Sequence, residues 1–431
     1  MSLSAEQFPR LLAGMPAAGA LGLRAHEQLH GELALEPRPR SRADHPLIVE
    51  LERAGLRGYG GAGFPTSTKL RAVAAQGSRP VVLVNGSEGE PLSSKDLLLM
   101  SRLPHLVIDG ALAAAAVLGS DQIVFTLDEQ ARRAARAVRE ALAERAELRH
   151  RGALSVSVSA VPDGYLTGQE TALTNALDNG RALPTLTPPY PFQRGLRGRP
   201  TLVSNAETLA QLALIARKGA DWFRTLGTSN DPGTRLVTVA GAVNLPGVVE
   251  IAGGTTVAQV IRASGGLTEP LAGVLLGGYA GAWLGPEAAD LRLDAPLLRE
   301  RGLSLGSGIV FLLPQSACVV AEVASVARWL QQQSAGQCGP CTHGLQAIAG
   351  ALEELCGHGD RRGAYSRIER WCELVIRRGA CALPDGAASF VTTALRAFRS
   401  QFDDHARHGA CEACVQRRVL PTDSLDPAYA A

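Results

Sequence analysis

The sequence lacks the features that mark membrane-spanning and nucleic-acid-binding proteins. Its 431 residues carry 43 Lys and Arg against 41 Asp and Glu, a formal net charge of +2, so no polyanion is indicated as the main partner. No apolar run approaches the roughly 18 residues that a membrane helix needs. The nearest, GALAAAAVLG at residues 110–119, is bounded by Asp109 and Ser120. The composition therefore predicts a soluble or membrane-peripheral protein that binds small molecules or other proteins.

Export from the cell is not indicated either. The stretch LLAGMPAAGALGL, residues 11–23, has the length of a signal-peptide core, but Pro and Gly interrupt it and Glu6 is acidic. Arg10 is the only basic residue before it. We therefore expect a cytoplasmic protein that reaches the inner face of a membrane only through its partners.

Cysteine and lysine are distributed unevenly. No cysteine precedes residue 318, and all eight lie between residues 318 and 414. Such clustering in a long chain favours metal or redox chemistry over a disulfide framework. Lysine occurs only at Lys69, Lys95 and Lys218. The first two adjoin the loops described below, which indicates positions where a compact ammonium group is needed.

The residue pattern divides the chain into five ranges. Residues 45–230 alternate helical and strand patterns, which predicts an α/β domain with a parallel sheet. Residues 231–300 contain two strands, a short helix and a returning strand, typical of a β-grasp module. In residues 315–408 apolar side chains recur at helical spacing, which predicts a helical bundle that carries cysteines. Residues 1–44 form an N-terminal extension, and residues 409–431 form a C-terminal tail.

A glycine-rich loop, GLRGYGGAGFPTSTK at residues 55–69, contains the spacing Gly58-x-Gly60-x-x-Gly63. A Rossmann dinucleotide loop follows a strand, but a helical pattern precedes this one, so the ordinary assignment fails. The glycines would still let backbone N–H groups approach an anion, and Pro65 suits the first turn of a helix facing it. An anion-binding loop and a plain turn both remain open at this point.

Three further loops place polar side chains beside predicted strands and helices. The loop VNGSEGEPLSSKD follows a strand, so its polar residues would lie at the carboxyl edge of a parallel sheet, where open α/β folds bind ligands. The other two, TGQETAL and LVSNAETLA, each precede a helical pattern. The acidic side chains could instead be solvated, and Glu170 could favour a helix N-terminus. The candidates are Asn85, Ser87, Glu88, Glu90, Gln169, Glu170, Ser204 and Asn205.

The cysteines fall into three groups. Cys338-x2-Cys341 precedes a helix, and Cys381 follows later in the chain. A C-x2-C pair is typical of zinc or redox sites, but with one further cysteine it is only a weak sequence signal for either. Cys411-x2-Cys414 is compatible with a reversible disulfide or a weak metal site. The remaining three lie in helical apolar patterns and are interpreted as small buried hydrophobic residues. These are Cys318, Cys356 and Cys372.

Taken in order, these segments resemble the NADH-binding FMN flavoprotein subunit, or F subunit, of bacterial respiratory complex I. They also resemble the diaphorase subunits of NAD-linked hydrogenases and formate dehydrogenases. The resemblance runs from about residue 45 to 408 and rests on GLRGYGGAGFPT, VNGSEGEP, TGQETAL, GRPTLVSNAETLA, GQCGPC and CALPDGAA. It implies a Rossmann-like domain that binds FMN and NADH, an SLBB-type β-grasp domain and a helical domain with a [4Fe-4S] cluster.

The resemblance also implies roles for individual residues, by matching position. FMN would contact Gly58, Gly60, Lys69, Asn85 and Asn205. NADH would face Phe64, Glu90 and Glu170, since an aromatic ring can stack on adenine and a carboxylate can accept from ribose hydroxyls. The same cofactor-binding set includes Gly61, Gly63, Ser87, Glu88, Gln169 and Ser204. No side chain is expected to act as a catalytic acid or base, because hydride transfer needs none.

Several positions depart from the family pattern. Tyr59 stands in place of an arginine, Ser87 in place of an aspartate, Gln169 in place of a glutamate and Ser204 in place of an asparagine. Each substitute can still form hydrogen bonds, so FMN is expected to bind, more weakly and with a shifted potential. Ala335 occupies the position of the first cluster cysteine.

The cluster therefore keeps three ligands in register, Cys338, Cys341 and Cys381. This leaves three outcomes: a [4Fe-4S] cluster completed by Ser334, His343, water or an outside thiol; a [3Fe-4S] cluster; or no cluster. Because three cysteines are retained, some cluster is favoured.

The resulting hypothesis is an NADH dehydrogenase flavoprotein subunit that passes electrons through the cluster to a ferredoxin-like or thioredoxin-fold [2Fe-2S] partner. Two alternatives remain open. One is a divergent paralogue feeding a ferredoxin or membrane reductase, and the other is a nucleotide-binding assembly subunit without electron transfer.

Overall fold

The computed structural model describes residues 8–34, 42–145, 154–357, 361–415 and 418–422. Parts of the predicted N-terminal extension and C-terminal tail lie outside these ranges. The described chain forms a parallel α/β unit, a smaller mixed sheet and a group of helices, in that order.

The first unit is built on four parallel strands in the order β3-β2-β1-β4. The strands lie between helices, and β1 and β4 are buried along most of their length, as expected for strands covered on both faces. The edge strand β3 alternates serine with apolar residues and is mostly not buried. The strands are β1 (Val81–Asn85), β2 (Gln122–Asp128), β3 (Ser155–Val161) and β4 (Thr201–Asn205). The parallel α/β sheet predicted from the sequence is confirmed.

Nine helices belong to this unit in the described residues. They are Leu23–His30, Pro46–Ala54, Thr66–Ala74, Lys95–Arg102, Pro104–Leu118, Arg132–Glu144, Glu170–Asn179, Pro191–Arg194 and Ala206–Phe223. The helix Pro104–Leu118 is buried on nearly every side and crosses Ala206–Phe223 at Gly110. A Cβ atom there would lie 1.9 Å from the Leu209 carbonyl oxygen, so only glycine allows the two backbones to approach this closely.

The N-terminal residues in the described range pack against the body of the protein. The Arg10 backbone N–H donates to Glu250 at 2.9 Å, and its guanidinium donates to the Phe223 carbonyl at 2.8 Å. The same guanidinium stacks 4.0 Å above the Trp222 ring. The segment therefore links the long helix of the first unit to the second sheet.

The second unit is a five-stranded mixed sheet in the order β6-β5-β9-β7-β8. Its strands are β5 (Thr234–Gly241), β6 (Gly247–Ala252), β7 (Leu271–Leu276), β8 (Ala282–Leu284) and β9 (Ile309–Pro314). The helices Val257–Ala263 and Ala295–Glu300 connect them. Strand β9 lies between β5 and β7, although it follows the predicted range 231–300. The local pattern does not reveal this placement, because the pairing partners of β9 are far away in the chain.

The third unit is helical. Its elements are Val319–Gln332, a π-helical turn Pro340–Gly344, Leu345–Leu355, Ala364–Val375, Leu383–Ala397, Arg399–His408 and a 3₁₀ turn Glu412–Val415. Its apolar faces form one core that also takes in Tyr279 and Trp283 of the second unit. The two units therefore share a hydrophobic core.

No single helix among the described residues is long and apolar enough to cross a membrane. Lys95–Arg102 and Pro104–Leu118 reach that length only together, and they are bent by 97°.

Candidate functional site

Two asparagines lie side by side where neighbouring strands end. Asn85 closes β1 and is in register with Asn205, which closes β4. The Asn85 amide donates to the Gly168 carbonyl at 2.8 Å. The Asn205 side chain caps the following helix by accepting from the Glu207 N–H at 3.0 Å. This is the carboxyl edge of a parallel sheet, the usual ligand-binding edge of open α/β folds.

The glycine-rich loop folds over this edge. It closes on itself through a hydrogen bond from the Gly58 N–H to the Phe64 carbonyl at 2.9 Å. A Cβ atom at Gly60 would lie 3.3 Å from the Asn205 Cβ, so the loop backbone rests directly on that side chain. Gly61 and Gly63 have φ angles of 117° and 61° and face open space. The loop thus presents bare backbone beside Asn205.

The accessible face of this loop carries a cation, a carboxylate and an aromatic ring. Lys69 forms an ion pair with Glu170, and their side chains are 24% and 45% exposed. Phe64 is 52% exposed although it is apolar. Glu170 is the first residue of its helix, and the Gln169 side chain caps that helix by accepting from the Thr171 and Ala172 N–H groups. The structure therefore pairs Lys69 with Glu170 and leaves Phe64 exposed on the same loop. The Gln169 side chain is used as a helix cap.

A partly buried carboxylate, Asp128, holds the loop that follows β1. Ser87 donates its hydroxyl to Asp128 at 2.5 Å, and the Glu88 N–H donates to the same carboxylate at 2.8 Å. Burial raises the pKa of Asp128 to about 6. Asp128 is not among the residues predicted from the sequence, although its position at the end of β2 was a usable signal. Ser204, also in the predicted set, is buried within β4.

Lys95 lies in a buried charge network and does not line the open face of the loop. Its ammonium is 2.9 Å from Asp96 and 2.8 Å from Glu207, and all three groups are inside the protein. Glu88 lies at the edge of this network and accepts from the Leu97 N–H at 2.9 Å. Burial, with Asp96 nearby, raises the pKa of Glu88 to about 7. Lys95 therefore serves to neutralise buried carboxylates within the fold.

Glu90 is turned towards the second sheet. It accepts from the Tyr279 N–H at 3.0 Å, and its other oxygen is buried without a hydrogen-bond partner among the described residues. Burial raises the pKa of Glu90 to about 8. The Glu90 carboxyl group is therefore enclosed by protein. Its contact with NADH, expected from the family resemblance, stays a prediction.

Tyr59, at the position of the family arginine, anchors the glycine loop. Its backbone N–H donates to Thr208 at 2.9 Å, and its hydroxyl donates to the Thr234 carbonyl at 3.2 Å. The Arg235 guanidinium lies 5.6 Å from the ring centre. Tyr59 therefore lacks the charge of an arginine, and its hydroxyl instead connects the loop to β5.

A cavity of about 1050 Å³ lies beside the carboxyl ends of β1 and β2. Its walls include Asp128, Tyr165, Arg328 and Trp329. Of the predicted cofactor residues, only Glu88 is among its lining residues. The first and third units therefore meet across an open, partly charged space.

The three cysteines in register with the family cluster line a second cavity, of about 860 Å³. Cys341 is buried in the π-helical turn, while Cys338 and Cys381 are partly exposed. Burial is the main cause, and the neighbouring Cys338 thiol the second, of a rise in the pKa of Cys341 to about 11. Ala335 lines the same cavity and offers no ligand atom.

Comparison with known proteins decides the family. The chain is 32% identical to NADH-quinone oxidoreductase F subunit 2 of Rhizobium meliloti, over 84% of this chain and 90% of that protein. It is also 32% identical to the NADH-quinone oxidoreductase F subunit of Mycobacterium bovis, over 93% of both chains. The chain belongs to the family of NADH-quinone oxidoreductase F subunits.

Family models match all three units of this F-subunit relative. Residues 51–214 match the Nuo51 FMN-binding domain, residues 236–277 match the SLBB domain, and residues 321–405 match the NADH-ubiquinone oxidoreductase-F iron-sulfur binding region. The resemblance inferred from the sequence is therefore confirmed, including the SLBB module.

The fold is also similar to solved NAD+-reducing [NiFe]-hydrogenase chains. One, in the H2-reduced state, has a TM-score of 0.76 and 29% identity over 86% of this chain and 66% of that chain. Another, in the air-oxidized state, has a TM-score of 0.78 and 28% identity over 97% of this chain and 69% of that chain. Those hydrogenase chains are longer, and this chain spans about two thirds of them.

The residues at the glycine loop fit the FMN that the F-subunit family implies. The loop offers unhindered backbone at Gly61 and Gly63, and Lys69 supplies a cation beside it. The Thr66 hydroxyl, at the start of the following helix, is buried without a hydrogen-bond partner in the described part of the chain. These are donors suited to a phosphate and to flavin oxygens.

The cysteine cavity fits three ligands of an iron–sulfur group and lacks a fourth. The lining residues near Ala335 include the amides Asn175 and Gln337, which are poor ligands for iron in such clusters. Ser334 and His343, the alternative fourth ligands considered from the sequence, are not among the lining residues.

Proposed function

We propose that the protein oxidises NADH through FMN held at the glycine loop. An iron–sulfur group held by Cys338, Cys341 and Cys381 would supply the one-electron chemistry that passes electrons to an acceptor. The observation that supports this most directly is the helix Glu170–Asn179. Its first residue pairs with Lys69 at the loop, and Asn175 and Asn179 line the cysteine cavity. Nine residues of helix span about 14 Å, so one rigid element connects the two sites over a short distance.

The proposed roles follow from the chemistry of the exposed face. Phe64 stacks on an aromatic ring of the dinucleotide, and Glu170 accepts from ribose hydroxyls. Lys69 is shared between Glu170 and the phosphate or carbonyl oxygens of FMN. Bound FMN supplies the hydride acceptor, while the chain orients the two cofactors and excludes water. Gln169 and Asn205, as helix caps, fix the positions of Glu170 and the loop.

The electron acceptor is proposed to be a separate protein subunit, ferredoxin-like or of thioredoxin fold with a [2Fe-2S] cluster. The relatives named above are subunits of quinone-reducing enzymes, and the solved hydrogenase chains reduce NAD+. The altered cluster position, Ala335, favours an acceptor different from that of complex I. The competing proposal, a nucleotide-binding subunit without electron transfer, rests on the same alanine.

The test is anaerobic purification after iron–sulfide reconstitution, with FMN, iron and sulfide quantified and spectra recorded before and after NADH or NADPH. Bound FMN and iron that are both bleached by NADH support the proposal. Reduction of FMN by NADH without iron would leave a diaphorase, and an iron-free, flavin-free chain would contradict the proposal altogether.

A matched pair of variants locates the flavin. Lys69→Met should weaken FMN binding about tenfold, because it removes a charge-assisted hydrogen bond at the loop. Lys218→Met is the control, since Lys218 is exposed on the helix Ala206–Phe223. Equal FMN affinity in the two variants would place the flavin elsewhere.

A further inference from the structure

A second group of cysteines lies in the helical unit, away from the cavity of Cys338. Four side chains meet there, and their ligand atoms all lie within 4.8 Å of one another. Cys318 precedes the helix Val319–Gln332, and His405 lies near the end of Arg399–His408. Cys411 directly precedes the 3₁₀ turn Glu412–Val415, and Cys414 lies within it. We call these four residues the C-terminal cluster: Cys318, His405, Cys411 and Cys414.

Four of the six distances among these atoms are close to the edges of a single metal tetrahedron. The Cys318 sulfur is 3.4 Å from the Cys414 sulfur, and the sulfurs of Cys411 and Cys414 are 3.7 Å apart. The His405 Nε2 atom is 3.5 Å from the Cys318 sulfur and 4.0 Å from the Cys414 sulfur. A zinc tetrahedron has edges of about 3.8 Å between sulfurs and about 3.6 Å between sulfur and nitrogen.

The histidine is oriented as a metal ligand. Its Nδ1 atom lies 3.2 Å from the Leu355 carbonyl oxygen, which can only accept, so Nδ1 carries the proton. The lone pair of the neutral ring is then on Nε2, which faces the two sulfurs. Metal-bound histidines in proteins usually have this hydrogen bond, because it fixes the tautomer and the ring plane.

The surroundings favour a closed, structural site. Cys318, Cys414 and His405 are buried, and only Cys411 is exposed. Cys318 is the N-cap of its helix, where the positive end of the helix dipole favours a thiolate. Arg418 donates to the Cys414 carbonyl, so a guanidinium lies near a site that would carry a net charge of −1 with three thiolates and a divalent ion.

We propose that the C-terminal cluster binds one zinc ion as a structural Cys₃His site. Three sulfurs and one imidazole are the ligands of closed zinc sites, and no position is left for water or substrate. An iron–sulfur cluster is disfavoured, because its cysteines bind different irons and are separated by more than the edge of a one-metal tetrahedron. Binding releases the three thiol protons and involves no electron transfer.

Zinc at this site would hold residues 418–422 against the helix Val319–Gln332. The segment after the cluster already rests on that helix, since the Val419 and Leu420 N–H groups donate to Glu322 at 3.1 and 2.9 Å. Pro421 accepts from the Tyr279 hydroxyl of the second unit. The ion would therefore join three parts of the fold: the helix start, the last long helix and the terminal segment.

The test measures zinc and iron per chain in the full-length protein, before and after addition of zinc chloride. The variants Cys411→Ser and His405→Gln should bind zinc at least about tenfold more weakly against a chelating competitor. Cys338→Ser is the reciprocal control, because it should lose iron and keep zinc. Cobalt substitution adds a second readout, since tetrahedral thiolate-bound cobalt gives strong visible bands that Cys411→Ser should reduce.

The outcomes separate this inference from the electron-transfer proposal, because zinc content does not depend on FMN or NADH. One zinc in the wild-type protein and in Cys338→Ser, with loss in the other two variants, supports it. Zinc lost in Cys338→Ser but kept in Cys411→Ser would move the ion to the other cysteines. A zinc-free chain that takes up no zinc, or one with a Cys411–Cys414 disulfide by mass, would overturn it.

Discussion

The two cysteine groups differ in ligand number and in access. The group at Cys338, Cys341 and Cys381 has three sulfurs and lines a cavity of about 860 Å³. The C-terminal cluster has four ligand atoms within 4.8 Å and is largely buried. A structural metal ion requires closure on all sides, which the C-terminal cluster offers and the open three-cysteine cavity does not. The iron–sulfur role of the first group is inferred from the protein family. The zinc role of the C-terminal cluster is inferred only from the geometry of its side chains.

The largest expected effect is on stability. Cys414→Ala should lower the free energy of unfolding of the helical unit by about 3 kcal/mol or more, because it opens the zinc tetrahedron. Cys338→Ala, at a partly exposed sulfur, should cost less than about 1 kcal/mol. The measurement is guanidinium denaturation followed by tryptophan fluorescence, with excess zinc present. Equal denaturation midpoints for Cys414→Ala and Cys338→Ala would show that the two cysteine groups do not differ in their contribution to stability.

The next prediction adds the missing ligand. Ala335 lines the three-cysteine cavity, so Ala335→Cys should complete a four-cysteine site and raise iron to about four per chain after reconstitution. The zinc content should not change. Ala380→Cys is a matched control, since Ala380 lines the same cavity outside the family ligand position. If neither cysteine adds iron, or both add it equally, ligand position does not limit the cluster.

Much of the fold was predictable because it depends on local patterns. The strands β1 and β2 are largely apolar runs between helical segments, and the predicted Asn85 and Asn205 are the last residues of β1 and β4. The side-chain partners were not predictable, because they are distant in the chain. Cys318 was interpreted as a small hydrophobic residue, and its partners His405 and Cys414 lie 87 and 96 positions later.

Charged residues illustrate the same limit. Lys95 adjoins a motif loop, but it is enclosed because Glu207 folds onto it from another strand end. The backbone partner of Glu90, Tyr279, is 189 positions away. Residue type and spacing therefore indicated that these positions matter, while tertiary contacts decided which group each one meets.

The two groups are also connected differently to the nucleotide loops. The three-cysteine cavity is reached through the helix Glu170–Asn179, and the C-terminal cluster is reached through Pro421, Tyr279 and Glu90. This second connection contains a buried carboxyl group whose pKa is raised from 4.5 to about 8 by burial. It should therefore make the stability of the protein depend on pH.

The sign follows from proton binding. Between pH 4.5 and about 8 the folded state holds a proton on Glu90 that the unfolded state has lost, so stability falls as pH rises through this window. Glu90→Gln removes that slope, which is about 1.4 kcal/mol for each pH unit inside the window. The variant should therefore be more stable than the wild-type protein at pH 8, with the difference shrinking towards pH 5. Unfolding midpoints measured across this range test it. A difference that does not vary with pH would mean that Glu90 is ionised in the folded protein.

The smallest effect is expected at the last hydrogen bond of this connection. The Tyr279 hydroxyl donates to the Pro421 carbonyl, while the Tyr279 ring packs edge-on against Trp329 and Phe390. Tyr279→Phe keeps the ring and should cost about 1 kcal/mol, the net value of one such bond. If zinc fixes the terminal segment, the stability lost in Tyr279→Phe should be larger after a chelator removes the ion. The reason is that the segment is then held by fewer interactions, of which this hydrogen bond is one. A loss independent of zinc would show that the C-terminal cluster and the terminal segment are not coupled.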